Sequence, residues 1–111
     1  MDDARLIYMT AGSLDEARRL AEAVIGERLA ACVNIIPGMK SLYHWQGRVA
    51  EDEEVVVIAK TRAGLVDRLT ARVRAIHSYD CPCVVAILIA PGNPDFFDWI
   101  AAETAPAEAA N

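Results

Sequence analysis

Three things are missing from this chain, and each absence removes a class of function. There is no basic run: the eleven Lys and Arg residues are scattered, and the formal net charge is −5. Phosphate backbones and anionic bilayers are held by clustered Lys and Arg, so neither nucleic acid nor a membrane surface is an expected partner. There is no visible secretory pattern: Met1-Asp2-Asp3 carries no basic n-region and no apolar stretch follows it, so no secretory signal is expected. There is no spanning segment: the longest apolar runs, Val55 to Ala59 and Cys83 to Ala90, fall far short of a bilayer. A soluble, cytoplasmic protein is expected. Cysteine is sparse and odd in number, with only Cys32, Cys81 and Cys83. That argues against a disulfide framework and leaves thiol or metal chemistry open. Glycine-rich phosphate loops, nucleophile elbows, His-Glu-x-x-His and four-ligand zinc spacings are all absent. An enzyme would have to rest on Lys60, Tyr79, Asp80 and the cysteines, too little to define a reaction, so no catalytic activity is expected.

What is present is apolar material in excess. Hydrophobic residues make up 54% of only 111 positions, which is enough chain for one domain. A small domain has much surface for its volume, so the surplus points to burial between subunits. Arg5 to Ala11 reads as a strand ended by Gly12. Ser13 and Glu16 then form a capping box, and Leu14, Ala17, Ala21, Val24 and Ile25 follow at helical spacing. Ala30 to Gln46 is the longest extended segment, with Val33, Ile35, Met39, Tyr43 and Trp45 at one parity. Pro37-Gly38 interrupts it and predicts a bent strand, with Pro37 on a sheet edge. Gln46-Gly47-Arg48 makes a turn, and Val49 to Thr61 returns. In that strand the acidic Glu51 to Glu54 must be wet, and the apolar Val55 to Ala59 must be covered on both faces. Leu65, Leu69, Val73 and Ile76 mark a second helix, Pro82 to Ala90 a last strand, and Asn93-Pro94 the start of a short helix carrying Phe96, Phe97, Trp99 and Ile100.

The order is strand, helix, strand, strand, helix, strand, short helix. It predicts an α+β fold, a ferredoxin-like α/β sandwich of βαββαβ type with a long β2–β3 hairpin. One domain is expected over 1–104, and 105–111 has nothing to bury and is expected to fray. Strands of about fourteen residues span about 45 Å, whereas a helix of equal count spans about 21 Å. The hairpin therefore overhangs its helices and leaves Tyr43 and Trp45 without a lid in their own chain. Long exposed apolar edges are association sites, so the chain is expected to form an oligomer through its hairpin.

Several segments resemble one family, the CutA divalent-cation tolerance proteins. Glu27 to Gly38 (ERLAACVNIIPG) is similar to the family signature that leads into its long second strand, and Ser41 to Gly47 (SLYHWQG) to its hairpin tip. Glu51 to Glu54 with Lys60-Thr61, then Gly92-Asn93-Pro94 and Asp98-Trp99-Ile100, resemble its third strand and its ending. His77-Ser78-Tyr79-Asp80-Cys81-Pro82 is similar to its His-Pro-Tyr-Glu-x-Pro, with Ser78 for the proline and Asp80 for the glutamate; Cys83 stands where the family usually has another glutamate. The resemblance implies a tight homotrimer of ferredoxin-like subunits, a link to divalent cations, copper especially, and an architecture like that of the nitrogen-regulatory PII proteins.

The candidate chemistry gathers in the last third of the chain. In extended backbone, residues two apart point the same way, so Cys81 and Cys83 can hold a soft ion such as Cu(I), with His77 or Asp80 as further donors. Against this stands ordinary packing, the usual fate of a free cysteine. Cys32, beside Val33 and Ile35, reads first as a packing residue, and the resemblance brings it near the same site. His77 suits a helix C-terminus equally well. Lys60 follows five apolar residues and needs a carboxylate, an anionic ligand or a route to solvent at the strand end. With Tyr79 and Trp45 it can line a cleft between subunits. Four readings follow: a metal-binding trimer for copper or another divalent cation, a PII-like ligand sensor, a structural scaffold, and a thiol redox enzyme using Cys81 and Cys83.

Overall fold

The computed structural model describes residues 3–106. Its strands are β1 (Ala4–Ala11), β2 (Cys32–Trp45), β3 (Arg48–Arg62) and β4 (Val84–Leu88). Its helices are α1 (Leu14–Gly26), α2 (Val66–Ile76), which a 3-10 turn at Ala63–Leu65 precedes, and α3 (Pro94–Glu103). The sheet runs β2-β3-β1-β4, and every neighbouring pair is antiparallel. This is the ferredoxin-like split βαβ expected from the element order.

One sheet face makes the core. Ile7, Met9 and Ala11 of β1 and Val55, Val57 and Ala59 of β3 meet Ala17, Leu20 and Val24 of α1 and Leu69 and Val73 of α2. Neither α1 nor α2 covers the other face, which carries Tyr8, Thr10, Val56, Ile58 and Lys60. The apolar run in β3 is thus covered fully on one side only, although Val56 is buried and Ile58 half-buried.

β1 pairs with β3 only from Val55 onward, so Met39 to Glu54 continues beyond the sheet as a two-stranded ribbon. Leu42, Trp45 and Val49 are 66%, 61% and 65% exposed on that ribbon, as the length argument requires. β2 is an edge strand, so Pro37 costs no ladder bond to a further strand. Gln46 and Gly47 close the tip, both with positive φ (52° and 78°), the backbone that matches strand twist in tight hairpins.

The single-parity reading of β2 needs correction. Ile36 pairs with Val56 but Met39 pairs with Glu54, so one extra residue bulges out at Pro37-Gly38. Gly38 takes φ +83°, open to glycine. Beyond the bulge the faces exchange. Val33 and Ile35 join the helix-side core, whereas Met39, Tyr43 and Trp45 share the opposite face with Glu54 and Asp52.

The fraying expected from Ala105 does not hold at Ala105 itself. Ala105 N–H donates to Arg28 O at 2.8 Å, and its carbonyl accepts from the Arg62 guanidinium. Arg62 Nε donates to Thr104 Oγ1 at 2.8 Å, which fastens the end of α3 to the sheet. Residues 107–111 of the expected tail lie outside the described residues. Among the described residues, no helix is long and apolar enough to cross a membrane.

Candidate functional site

The uncovered sheet face and the ribbon form a groove of about 700 Å³. Tyr8 and Thr10 of β1 supply its floor, Met39, Ser41, Tyr43 and Trp45 one wall, and Asp52 and Glu54 the centre. The connection from α2 to β4 closes it with Tyr79, Asp80, Cys81 and Cys83. Among the described residues no Lys or Arg lines it. Tyr43 donates its hydroxyl to Asp52, Tyr79 donates to Glu54 at 2.8 Å, and Tyr8 to Met39 Sδ at 3.4 Å. Burial and the bond to Glu54 push the Tyr79 phenol far above its usual range, and the bond to Asp52 raises that of Tyr43. Burial, helped by the Glu54 charge, also pushes the Cys83 thiol up.

Tyr79 is held in place from behind. Its N–H donates to His77 Nδ1 at 3.0 Å, and Nε2 of that ring lies 2.8 Å from Thr10 O. An Nδ1 that accepts and a carbonyl that can only accept require the neutral ring protonated at Nε2. The buried Glu16 stands beside it, 3.5 Å from Nδ1. Glu16 was legible as a cap residue, and Ser13 Oγ does accept from its N–H at 3.1 Å. Its carboxylate, however, does not return to Ser13. It accepts from Gly12 N–H at 3.2 Å, from Ser78 N–H at 2.6 Å and from Ser78 Oγ at 3.0 Å. Burial pushes the Glu16 carboxyl up, but the hydrogen bonds from Ser78 and Gly12 pull it below the usual carboxylate range. Gly12 also leaves room for the phenol: a Cβ there would lie 3.2 Å from Tyr79 Oη.

The groove brings together five of the eight candidate residues: Cys81, Cys83, Asp80, Tyr79 and Trp45. His77 is not among them. Its side chain is fully buried and both ring nitrogens are engaged, so its position is that of a brace for Tyr79 and not of a donor to the groove. Lys60 and Cys32 are also apart. They are cross-strand partners, six residues along β3 from Glu54, or roughly 20 Å. Among the described residues Lys60 meets no carboxylate; its ammonium donates to Asn34 Oδ1. Among the groove residues that went unread as site residues are Asp52, Glu54 and Met39. The signal for the first two was present, since carboxylates two apart on a strand face one way. Reading that run simply as wet hid it.

With this geometry in hand, the relatives are informative. The sequence profile of the family described as CutA1 divalent ion tolerance protein matches residues 5–103. The chain is 44% identical over 99 residues to the divalent-cation tolerance protein CutA of Thermus thermophilus, covering 89% of this chain and 96% of that one. It is 45% identical over 95 residues to the chloroplastic protein CutA 1 of Oryza sativa, covering 86% of this chain but only 54% of that longer protein. A solved structure of the Thermus thermophilus protein superposes with a TM-score of 0.90 at 43% identity, covering 92% and 99% of the two chains. One described as the periplasmic divalent cation tolerance protein CutA of Archaeoglobus fulgidus gives 0.88 at 42% identity, covering 90% and 97%. The chain belongs to the CutA family of divalent-cation tolerance proteins.

Proposed function

We propose that this protein is a cytoplasmic homotrimer that binds metal cations, Cu(I) included, and contributes to cation tolerance by binding and not by catalysis. The observation that carries this reading is the lining of the groove: three carboxylates, two thiols and a thioether, with no Lys or Arg. Such a surface attracts cations and repels anions. Among the described residues no three His, Cys, Asp or Glu side chains are already gathered as a metal cage. Cys81, Cys83 and Met39 are soft donors, the set that favours Cu(I) over harder ions. The exposed apolar ribbon supports the trimer.

Competition against a Cu(I) chelator tests the reading, with native mass spectrometry reporting subunit number and bound mass. About one Cu(I) per chain is expected. Cys81→Ser with Cys83→Ser should lose most of that affinity, and Cys32→Ser much less. Because the Cys83 thiol is raised, a metal must displace its proton, so affinity should climb as pH rises through neutrality. Equal affinity in wild type and double variant would reduce the cysteine pair to packing.

A second reading, the ligand-sensing trimer, is favoured by one residue. The half-buried Lys60 finds only a neutral amide oxygen among the described residues. If it receives an anion, Lys60→Met should abolish small-anion binding in an intact assembly; unchanged affinity would remove this reading.

A further inference from the structure

Seven residues of this chain are Phe, Trp or Tyr, and none of them joins the hydrophobic core. Large aromatic rings ordinarily supply core volume. Here three sit on α3, and the other four, Tyr8, Tyr43, Trp45 and Tyr79, all line the groove that holds Asp52 and Glu54. We propose that this groove binds an aliphatic diamine or polyamine, with its ammonium groups on the carboxylates and its methylenes against the rings.

Size comes first. A volume of about 700 Å³ is far more than one ion fills and lies within the range of small-molecule sites. Charge comes second. Asp52 and Glu54 share one face of β3 two residues apart, so their Cα atoms are about 6.6 Å apart along the strand. That pitch suits two ammonium groups joined by a short alkyl chain. Each carboxylate already accepts one phenol hydroxyl, yet an ionised carboxylate has about four acceptor positions, so each keeps capacity for an ammonium donor. The rings come third. Cations bind over Trp and Tyr faces, an attraction that desolvation strengthens. Both phenols are pushed toward the neutral form, so they remain donors to the acids. The nearest ribbon cations do not compete: Lys40 pairs with Glu53 on the opposite face, and Arg48, across from Trp45 at the tip, is not part of the lining.

The inference shares with the metal reading a groove built for cations, but it does not need Cys81 or Cys83. Isothermal titration of the purified, assembled protein with butane-1,4-diamine at low salt tests it. Saturable binding of one diamine per chain is expected, with none for butane-1,4-diol. Asp52→Asn, at an exposed position, should weaken binding at least about tenfold, the loss of one charge-assisted bond. Trp45→Leu, with assembly checked by sedimentation, should weaken it several-fold. Cys81→Ser with Cys83→Ser should bind the diamine like wild type while losing Cu(I). No saturable heat with wild type, unchanged affinity in both groove variants, or diamine binding lost with the cysteines would each overturn the inference. Copper without diamine would remove this inference alone, and diamine without copper only the metal reading.

Discussion

At the scale of single residues, Glu16 joins parts of the chain that are far apart in sequence. Its carboxylate accepts from Gly12 at the end of β1 and from Ser78 after α2. Removing the charge leaves those donors poorly matched, so Glu16→Gln should cost about 1.5–3 kcal/mol at neutral pH. The pH dependence has a definite sign. A carboxyl whose folded-state value is depressed contributes stability above its unfolded value, and that contribution fades as pH falls through the folded value. Urea midpoints of wild type and Glu16→Gln should therefore differ at neutral pH and converge well below pH 4.5, the ordinary glutamate value. A constant gap at every pH would mean the charge is irrelevant. Only part of this residue was legible in the sequence. A cap is a local event, three residues long, and spacing reveals it. The bond to Ser78 spans 62 residues and depends on how α2 packs, which no local pattern encodes. The end of α2 at His77 was legible, but its ring was also read as a metal donor, because only the packed β1 shows where Nε2 goes.

At the scale of elements, the bulge in β2 decides which side chains reach the groove. Gly38 holds φ +83° with nothing within 4 Å of where a Cβ would stand, so the cost of a side chain there is backbone strain without a clash. Gly38→Ala should lower stability by roughly 1–2 kcal/mol, the penalty of left-handed backbone. Gly26, in the last turn of α1, also has open space but no positive φ. Gly26→Ala should raise stability by about 0.5–1 kcal/mol. Urea unfolding of the two variants checks both, and a shift of the same sign in each would contradict the argument. The elements themselves were legible because period-2 and period-3.6 patterns are strong over eight or more residues. The face exchange was not, because Pro37-Gly38 announces a bend without saying how many residues it inserts. One residue reverses a parity and two would restore it.

At the scale of the whole molecule, the ribbon and the uncovered sheet face leave Leu42, Trp45, Val49 and Val85 exposed, apolar surface of the kind that marks association sites. Sedimentation equilibrium at low micromolar concentration should give three times the 12.1 kDa chain mass. Trp45→Arg should shift that distribution toward smaller species, because it sets a charge where packed aromatic surface is expected. A stable wild-type monomer would remove the trimer and leave the ribbon unexplained. The fold and the overhanging ribbon could be read from the sequence because both follow from lengths and periods. The groove could not, since its walls come from β1, both arms of the hairpin and the connection into β4, and only tertiary structure brings these together. The bulge gives that assembly an unusual heritability. Deleting one codon at Gly38 would do to the ribbon what a frameshift does to a reading frame. Every residue from Met39 to Trp45 would change sides while the core on β1, β3 and the helices stayed whole. A lineage could therefore acquire or discard the β2 wall of this groove in one mutational step, under no pressure from the core that carries it.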